Sequence, residues 1–236
     1  MAVVERILRW PGVDLNHEDR DGCTAVDLAA REGHTEIVSL LLERPELTVD
    51  WDANRRANPL CLAVKNGHEE TVRRMLERHD DRVSVNSRAA NGRTPLCHAI
   101  VHGHDTLIAL LFEHPELDVN VPVDFAATAL HLAAVYLADE DMLIMLLEDP
   151  RIDVNVGDCF GASSLVNAVK KGCDWAIQLV LQRPDIEPDQ KDGVGMNALS
   201  WAAHFGRHAI VEMLLDRQDV DPNTRDDDGV TPLHLA

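Results

Sequence analysis

Twelve histidines and five cysteines are the residues of this 236-residue chain best suited to bind a metal, attack a carbonyl or move a proton. Their spacing points away from such chemistry. His34, His68, His104 and His208 recur at one position of a repeating pattern, and His131 and His234 at another. A ligand set converges on one point, so imidazoles that return with a period read as structural. His98, His102 and His104 are close in sequence, but helical spacing splits their faces and no carboxylate or thiol completes a set. Cys23, Cys61, Cys97, Cys159 and Cys173 are odd in number and contain no Cys-x-x-Cys pair, against both a disulfide framework and a zinc knuckle. Free thiols in a reducing compartment are expected. The sequence holds no Gly-rich phosphate loop, no Ser nucleophile elbow and no His-Glu-x-x-His. No catalytic residue, metal or cofactor is expected.

Charge narrows the partners. The chain carries a net charge of −19, which repels a phosphate backbone and argues against nucleic acid. No apolar run approaches the roughly 20 residues of a membrane helix, and Glu5, Arg6 and Arg9 break the one apolar stretch near the start, so no signal peptide is read. A cytoplasmic protein is expected, with the nucleus also open to it.

The elements that position these residues follow from one recurring hexad, Thr/Ser/Asn-Pro/Ala/Ser-Leu/Val-x-x-Ala. It begins at Thr24, Asn58, Thr94, Thr128, Ser163, Asn197 and Thr231. Asn16, Asp50, Asn86, Asn120, Asn155, Asp189 and Asn223 each stand eight residues upstream. Thr94 is suited to cap a helix, and Pro95 to occupy its first position, where a missing N–H costs nothing. Gly33, Gly67, Gly103, Gly172 and Gly206 end that helix, because glycine adopts the left-handed backbone cheaply. A second helix shows its apolar face in Ile37, Val38, Leu41 and Leu42, repeated as Ile210, Val211, Leu214 and Leu215. Asp21-Gly22, Asn91-Gly92 and Asp228-Gly229 then predict tight hairpin turns. A unit of about 34 residues cannot bury its own core, so units must stack.

Hexads such as Thr231-Pro232-Leu233-His234-Leu235-Ala236, with Gly33-His34 between helices, resemble the ankyrin repeat. Stretches such as Glu43-Arg44-Pro45-Glu46-Leu47 are similar to slightly long units common in filamentous fungi, where such arrays often end large proteins carrying a nucleotide-binding domain. The resemblance implies an all-α ankyrin-repeat solenoid of stacked helix-turn-helix units with projecting β-hairpin loops. It covers residues 1–236 as one domain, with units at 1–16 (partial), 17–50, 51–86, 87–120, 121–155, 156–189, 190–223 and 224–236 (partial). Irregular geometry is expected at the fourth unit's inter-helix turn, within 133–140, which lacks the glycine; at His79–Arg82, which adds two residues; and at the tips Arg55-Arg56 and Phe125-Ala126. Val3, Val4, Ile7 and Leu8 match a second helix without its first, and Ala236 stops inside a first helix, which predicts a segment of a longer array or a truncated gene.

The resemblance also implies that imidazoles bond to the backbone of adjacent turns, and that hairpin tips and the outer side of the first helix line a concave, protein-binding groove. Carried over residue by residue, the groove includes Arg31, Arg55, Lys65, Arg93, His102, Phe125, Tyr136, Phe160, Lys170, Lys171 and Phe205. Four of the chain's nine aromatic residues fall among the thirty groove positions, where composition alone would place about one. Basic residues outnumber acidic ones there, in an otherwise acidic chain. The expected partner is therefore an acidic or neutral protein segment with an apolar anchor, unless Phe125 and Phe160 fold inward against neighbouring turns. The function read is a non-catalytic interaction scaffold or adaptor, monomeric or part of a larger chain; the alternative is a regulatory or sensor arm of a larger protein such as a nucleotide-binding NTPase.

Overall fold

First-layer helices start on the hexad's first residue. The side-chain oxygen of Thr94 accepts from the Cys97 N–H at 3.3 Å, that of Asn58 from Cys61 at 3.0 Å, that of Ser163 from Val166 at 3.4 Å and that of Asn197 from Ser200 at 2.9 Å. The computed structural model describes residues 2–48, 58–77, 83–136 and 140–236, which form fourteen α-helices and no strand. They fall into two compact units.

The unit Met1–Asp118 holds α1 (Ala2–Leu8) and three helix pairs: α2 (Ala25–Arg31) with α3 (Thr35–Leu42), α4 (Pro59–Lys65) with α5 (Glu69–Leu76), and α6 (Pro95–His102) with α7 (Asp105–Phe112). Within it α2, α4 and α6 stack as one layer and α3, α5 and α7 as another. The unit Val119–Ala236 repeats the plan with α8 (Ala129–Tyr136), α9 (Glu140–Glu148), α10 (Ser164–Lys171), α11 (Asp174–Leu181), α12 (Ala198–His204), α13 (His208–Leu215) and α14 (Pro232–Leu235). There α8, α10, α12 and α14 form one layer and α9, α11 and α13 the other. The hexad alanines explain the close stacking of the first layer: Ala63, Ala99, Ala133, Ala168 and Ala202 are fully buried, and a larger side chain would push the helices apart. The second layer seals the core with Val72, Met75, Leu107, Leu111, Leu143, Ile177 and Leu214.

The upstream asparagines supply the directional bonds between neighbouring repeats. Asn86 donates Nδ2–H to the Glu116 carbonyl at 2.7 Å and accepts the Asp118 N–H at 2.8 Å. Asn120 does the same with Arg151 and Asp153, Asn155 with Asp185 and Glu187, and Asn16 with Glu46 and Thr48. Only an amide carries both a donor and an acceptor in this shape. Asp189 accepts from the Asp221 N–H at 2.7 Å, and its other oxygen accepts from Asn197 Nδ2 at 2.9 Å. The carboxylate thus comes with an amide at the hexad start, and the same pair of types, Asp50 and Asn58, stands in the second repeat of the sequence.

Glycine and the next repeat's side chain share the inter-helix corner. Gly33 has φ of +71°, and a Cβ there would come within 2.5 Å of the His68 ring. At Gly172, φ of +79°, a Cβ would collide with the Arg207 guanidinium. Both reasons exclude other residues.

The turn tips differ from the expectation. Asp-Gly dipeptides predict two-residue hairpins with left-handed backbone at both central residues, yet among the described glycine-containing tips only the glycines have positive φ. At four of these tips a buttressing aspartate is the reason; at Asn91-Gly92 Ala89 takes its place and Asn91 Oδ1 accepts the Arg93 N–H at 3.1 Å. Asp19 Oδ1 accepts the N–H groups of Asp21 and Cys23, both at 2.9 Å, while its backbone pairs with Cys23. Asp158, Asp192 and Asp226 repeat the arrangement. Side-chain bonds of this kind build a turn without strands. Phe125-Ala126 is irregular as expected, a short 3-10 turn over Asp124–Ala126 with φ of 56° at Phe125 and 59° at Ala126. Arg55-Arg56, His79–Arg82 and the corner at 137–139 lie outside the described residues.

His131 ties its own cap to the next repeat. Its Nδ1 accepts the Thr128 N–H at 3.1 Å, so Nε2 carries the proton and donates it to the Ala162 carbonyl at 3.0 Å. Burial lowers its pKa below the ordinary 6.5, partly opposed by the Ala162 carbonyl. The unfolded chain then takes up a proton at higher pH than the folded one, so this contribution is complete above about pH 6.5 and declines as pH falls below it. Thermal melts from about pH 7.5 to about pH 5 should show a steeper loss of Tm in the wild type than in His131→Ser; equal slopes would exclude His131 as the source. A second measurement concerns the asparagine clamps. Asp189→Asn should destabilise by about 1 to 2 kcal/mol, because two amide donors then face each other. Adding Asn197→Ser should recover most of that loss in urea denaturation.

Candidate functional site

The residues read as a groove lie at the C-terminal ends of first-layer helices and on the turn tips. In the first unit Arg31 is exposed and paired with the exposed Glu32 at 3.1 Å, an interaction worth little in water. The Arg31 carbonyl accepts from His68 Nε2 at 2.8 Å, and that of Lys65 from His104 Nε2 at 3.1 Å. These bonds bear out the structural role of His68 and His104. The fourth member of that set is corrected: His208 is the first residue of α13, and Arg207 holds the equivalent place, donating from Nη2 to the Lys170 carbonyl at 3.2 Å. The offset from Thr24 to His34, applied at Asn197, leads to Arg207, and the histidine one residue on drew the assignment away from it.

Helical spacing does not split the faces of His98 and His102, contrary to the expectation. The rings of His98, His102 and His104 form a row, with centroids 5.9 Å apart between the first two and 6.0 Å between the last two. His98 and His102 are one helical turn apart and share a face. His102 Nδ1 is engaged by the His98 carbonyl at 2.8 Å, and His104 Nε2 by Lys65. Among the described residues no group of three His, Cys, Asp or Glu side chains is arranged to hold a metal. Arg93 is half-buried beside its turn, its N–H bonded to Asn91 Oδ1 at 3.1 Å, and Lys65 is exposed. Arg55 lies outside the described residues.

All five cysteines are free; Cys23, Cys61 and Cys97 are buried. Burial pushes the Cys61 thiol up to about 12, which keeps it protonated and inert near neutral pH.

The second unit gathers the aromatic residues. Phe125, Phe160, Tyr136 and Phe205 are 74%, 65%, 54% and 45% exposed, so Phe125 and Phe160 do not fold inward. The Phe125 and Phe160 rings lie nearly parallel, 6.5 Å between centroids and 22° between planes. Their turns are joined by backbone: Cys159 N–H donates to the Phe125 carbonyl and Gly193 N–H to the Phe160 carbonyl, each at 2.6 Å. Lys171 is exposed at the end of α10.

Three residues that the groove positions omit organise this surface. Trp201 packs against Phe205 with centroids 5.6 Å apart, and Lys170 Nζ stands 4.1 Å over the Trp201 ring. The indole N–H donates to Asp192 Oδ2 at 2.8 Å, and Lys170 pairs with the same oxygen at 3.2 Å. Arg207 lies 5.5 Å over Phe205. Burial alone would raise the Asp192 pKa, but Trp201, the N–H groups of Val194 and Met196, and Lys170 together hold it below the usual carboxylate range. Asp192 therefore stays ionised while it fixes the turn with one oxygen and the Trp201-Lys170 pair with the other. Its recurrence with Asp19, Asp158 and Asp226, five residues before each hexad, was a signal available in the sequence.

The sequence matches the family model described as Ankyrin repeats (3 copies) over residues 1–89, 46–123, 81–158 and 165–236. Among solved structures it is similar to the ankyrin repeat domain of Bcl-3, described as a unique member of the IkappaB protein family. The TM-score is 0.80 at 25% identity, over 92% of this chain and 95% of that one. No curated protein matches the sequence significantly. Ankyrin repeats generally mediate protein–protein interaction and are typically non-catalytic, and an ankyrin domain implies protein partners. Among the described residues no helix is long and apolar enough to cross a membrane. With that family model spanning nearly the whole sequence, and helix pairs stacked as the repeat pattern requires, the chain belongs to the ankyrin-repeat family.

Proposed function

We propose that this chain is a non-catalytic scaffold or adaptor that holds a protein segment against the tips and first-layer helices, with Phe125, Tyr136, Phe160 and Phe205 as anchors. One observation carries the reading. Phe125 and Ala126 both adopt left-handed backbone, whereas the glycine-containing tips keep it to the one glycine equivalent to Ala126, a strain of roughly 1 to 2 kcal/mol per residue. The strained residue presents its ring to solvent beside Phe160, where it makes little use of the core. Backbone strain kept at an exposed aromatic favours a binding role over a stabilising one. Rings already held by neighbours also lose little freedom on association.

The partner segment is acidic or neutral with an apolar side chain, in keeping with Lys170 and Lys171 at the end of α10 beside the anchors. Free thiols support a reducing compartment such as cytoplasm or nucleus.

Two substitutions separate binding from folding. Phe125→Gly should raise Tm, since glycine removes the backbone strain, while proximity labelling shows partners lost relative to the wild type. Tyr136→Ser with Phe160→Ser should reduce the same labelling with helical circular dichroism unchanged. Labelling that is undiminished in both variants would remove the anchor assignment.

A further inference from the structure

The end of α12 presents an aromatic platform that the groove residues only partly include. Trp201, His204 and Phe205 share one face of the helix. His204 stands edge-on to both neighbours, with centroids at 5.6 Å from Trp201 and 5.1 Å from Phe205. The platform is bordered by Lys170 over Trp201 and Arg207 over Phe205, with Lys171 exposed at the end of α10.

Three cations elsewhere in the unit Val119–Ala236 are already paired. Arg151, Arg183 and Arg217 are each clamped on an aspartate two residues away, at 2.6, 2.8 and 2.7 Å. Those cations are neutralised in place. Beside the platform, Asp192 is already engaged by the Trp201 indole, two backbone N–H groups and Lys170. Lys171 and Arg207 have no carboxylate partner among the described residues. At physiological salt a charge acts over roughly 8 Å, so this local excess of cations, and not the net −19, decides what docks here.

We propose that the platform is a receptor for an acidic protein segment bearing an aromatic side chain, whose ring lies on His204 and Phe205 and whose carboxylate faces Lys171 and Arg207. This rests on the protein-binding reading above and names the chemistry of its partner. Rings arranged edge-on and stacked favour another ring over an aliphatic chain. Cations beside rings also suit single-stranded nucleic acid, but so few of them release too few counterions to hold a polyphosphate against an acidic chain.

The test is selection of a phage-displayed library of random short peptides on the full chain. The selected peptides are then measured by fluorescence anisotropy against wild type, Lys171→Glu, Phe205→Ser and Phe160→Ser. Lys171, Phe205 and Phe160 are exposed, and circular dichroism checks that each variant folds. The selected peptides should carry Asp or Glu beside Trp, Tyr or Phe, and Lys171→Glu and Phe205→Ser should each weaken binding about tenfold or more. The inference is overturned if nothing is enriched, if the peptides lack acidic residues, or if affinity is unchanged in both variants. It is also overturned if an oligothymidylate binds as tightly as the peptides. Peptides lost only in Phe160→Ser would sink this inference and leave the broader reading standing; peptides indifferent to every variant would sink both.

Discussion

A repeat of about 34 residues buries too little apolar surface to stand alone, so everything in this chain depends on how one repeat is bonded to the next. Apolar packing between layers is strong but directionless. The asparagine clamps add direction, since each amide grips both a donor and an acceptor of the following repeat's backbone, as Asn86 does with Glu116 and Asp118. The distance from clamp to hexad is constant because the same short segment must reach both the neighbour's backbone and its own helix cap. Where the clamp is Asp189, the cap is Asn197, and the two side chains satisfy each other. The helix corners obey the same logic, with His68, His104 and Arg207 each bonding back to a carbonyl of the preceding repeat.

Because the repeats are fixed from behind by clamps and corners, their tips and helix ends are free to vary without loss of the core. In the unit Val119–Ala236 that freedom has been used for exposed rings, some at a local energetic cost. Asp192 connects the two regions of that surface. One oxygen holds the turn whose Gly193 N–H bonds to the Phe160 carbonyl, and the other holds Trp201, on which Phe205 stacks. An ionised, buried carboxylate suits this task, since it accepts several bonds at once from different directions.

The period, the helix caps, the glycine corners and the apolar faces were all legible in the residues, because each is a local requirement written once per repeat. Thr94-Pro95 starts a helix whatever surrounds it, and the repeated alanines announce close stacking. The aromatic excess at the variable positions was equally legible. The turn chemistry was less so: Asp-Gly suggested a two-residue hairpin, while Asp19 and its equivalents impose a strandless turn through side-chain bonds that a dipeptide rule does not see. The one-residue error that grouped His208 with His34 arose because an arginine performs the histidine's task, and type alone hid the equivalence.

By itself the sequence determined the array, because stacking identical units requires identical local signals at identical phase. Which side chains meet across repeats was decided only by tertiary structure. Trp201 looks in sequence like any large residue on a helix, and Lys170 like any helix-ending cation. They become one platform with Asp192 because stacking carries residues far apart in the chain to within hydrogen-bond reach. Such contacts depend on the distance between neighbouring repeats and the direction of each side chain, and neither is encoded in the period.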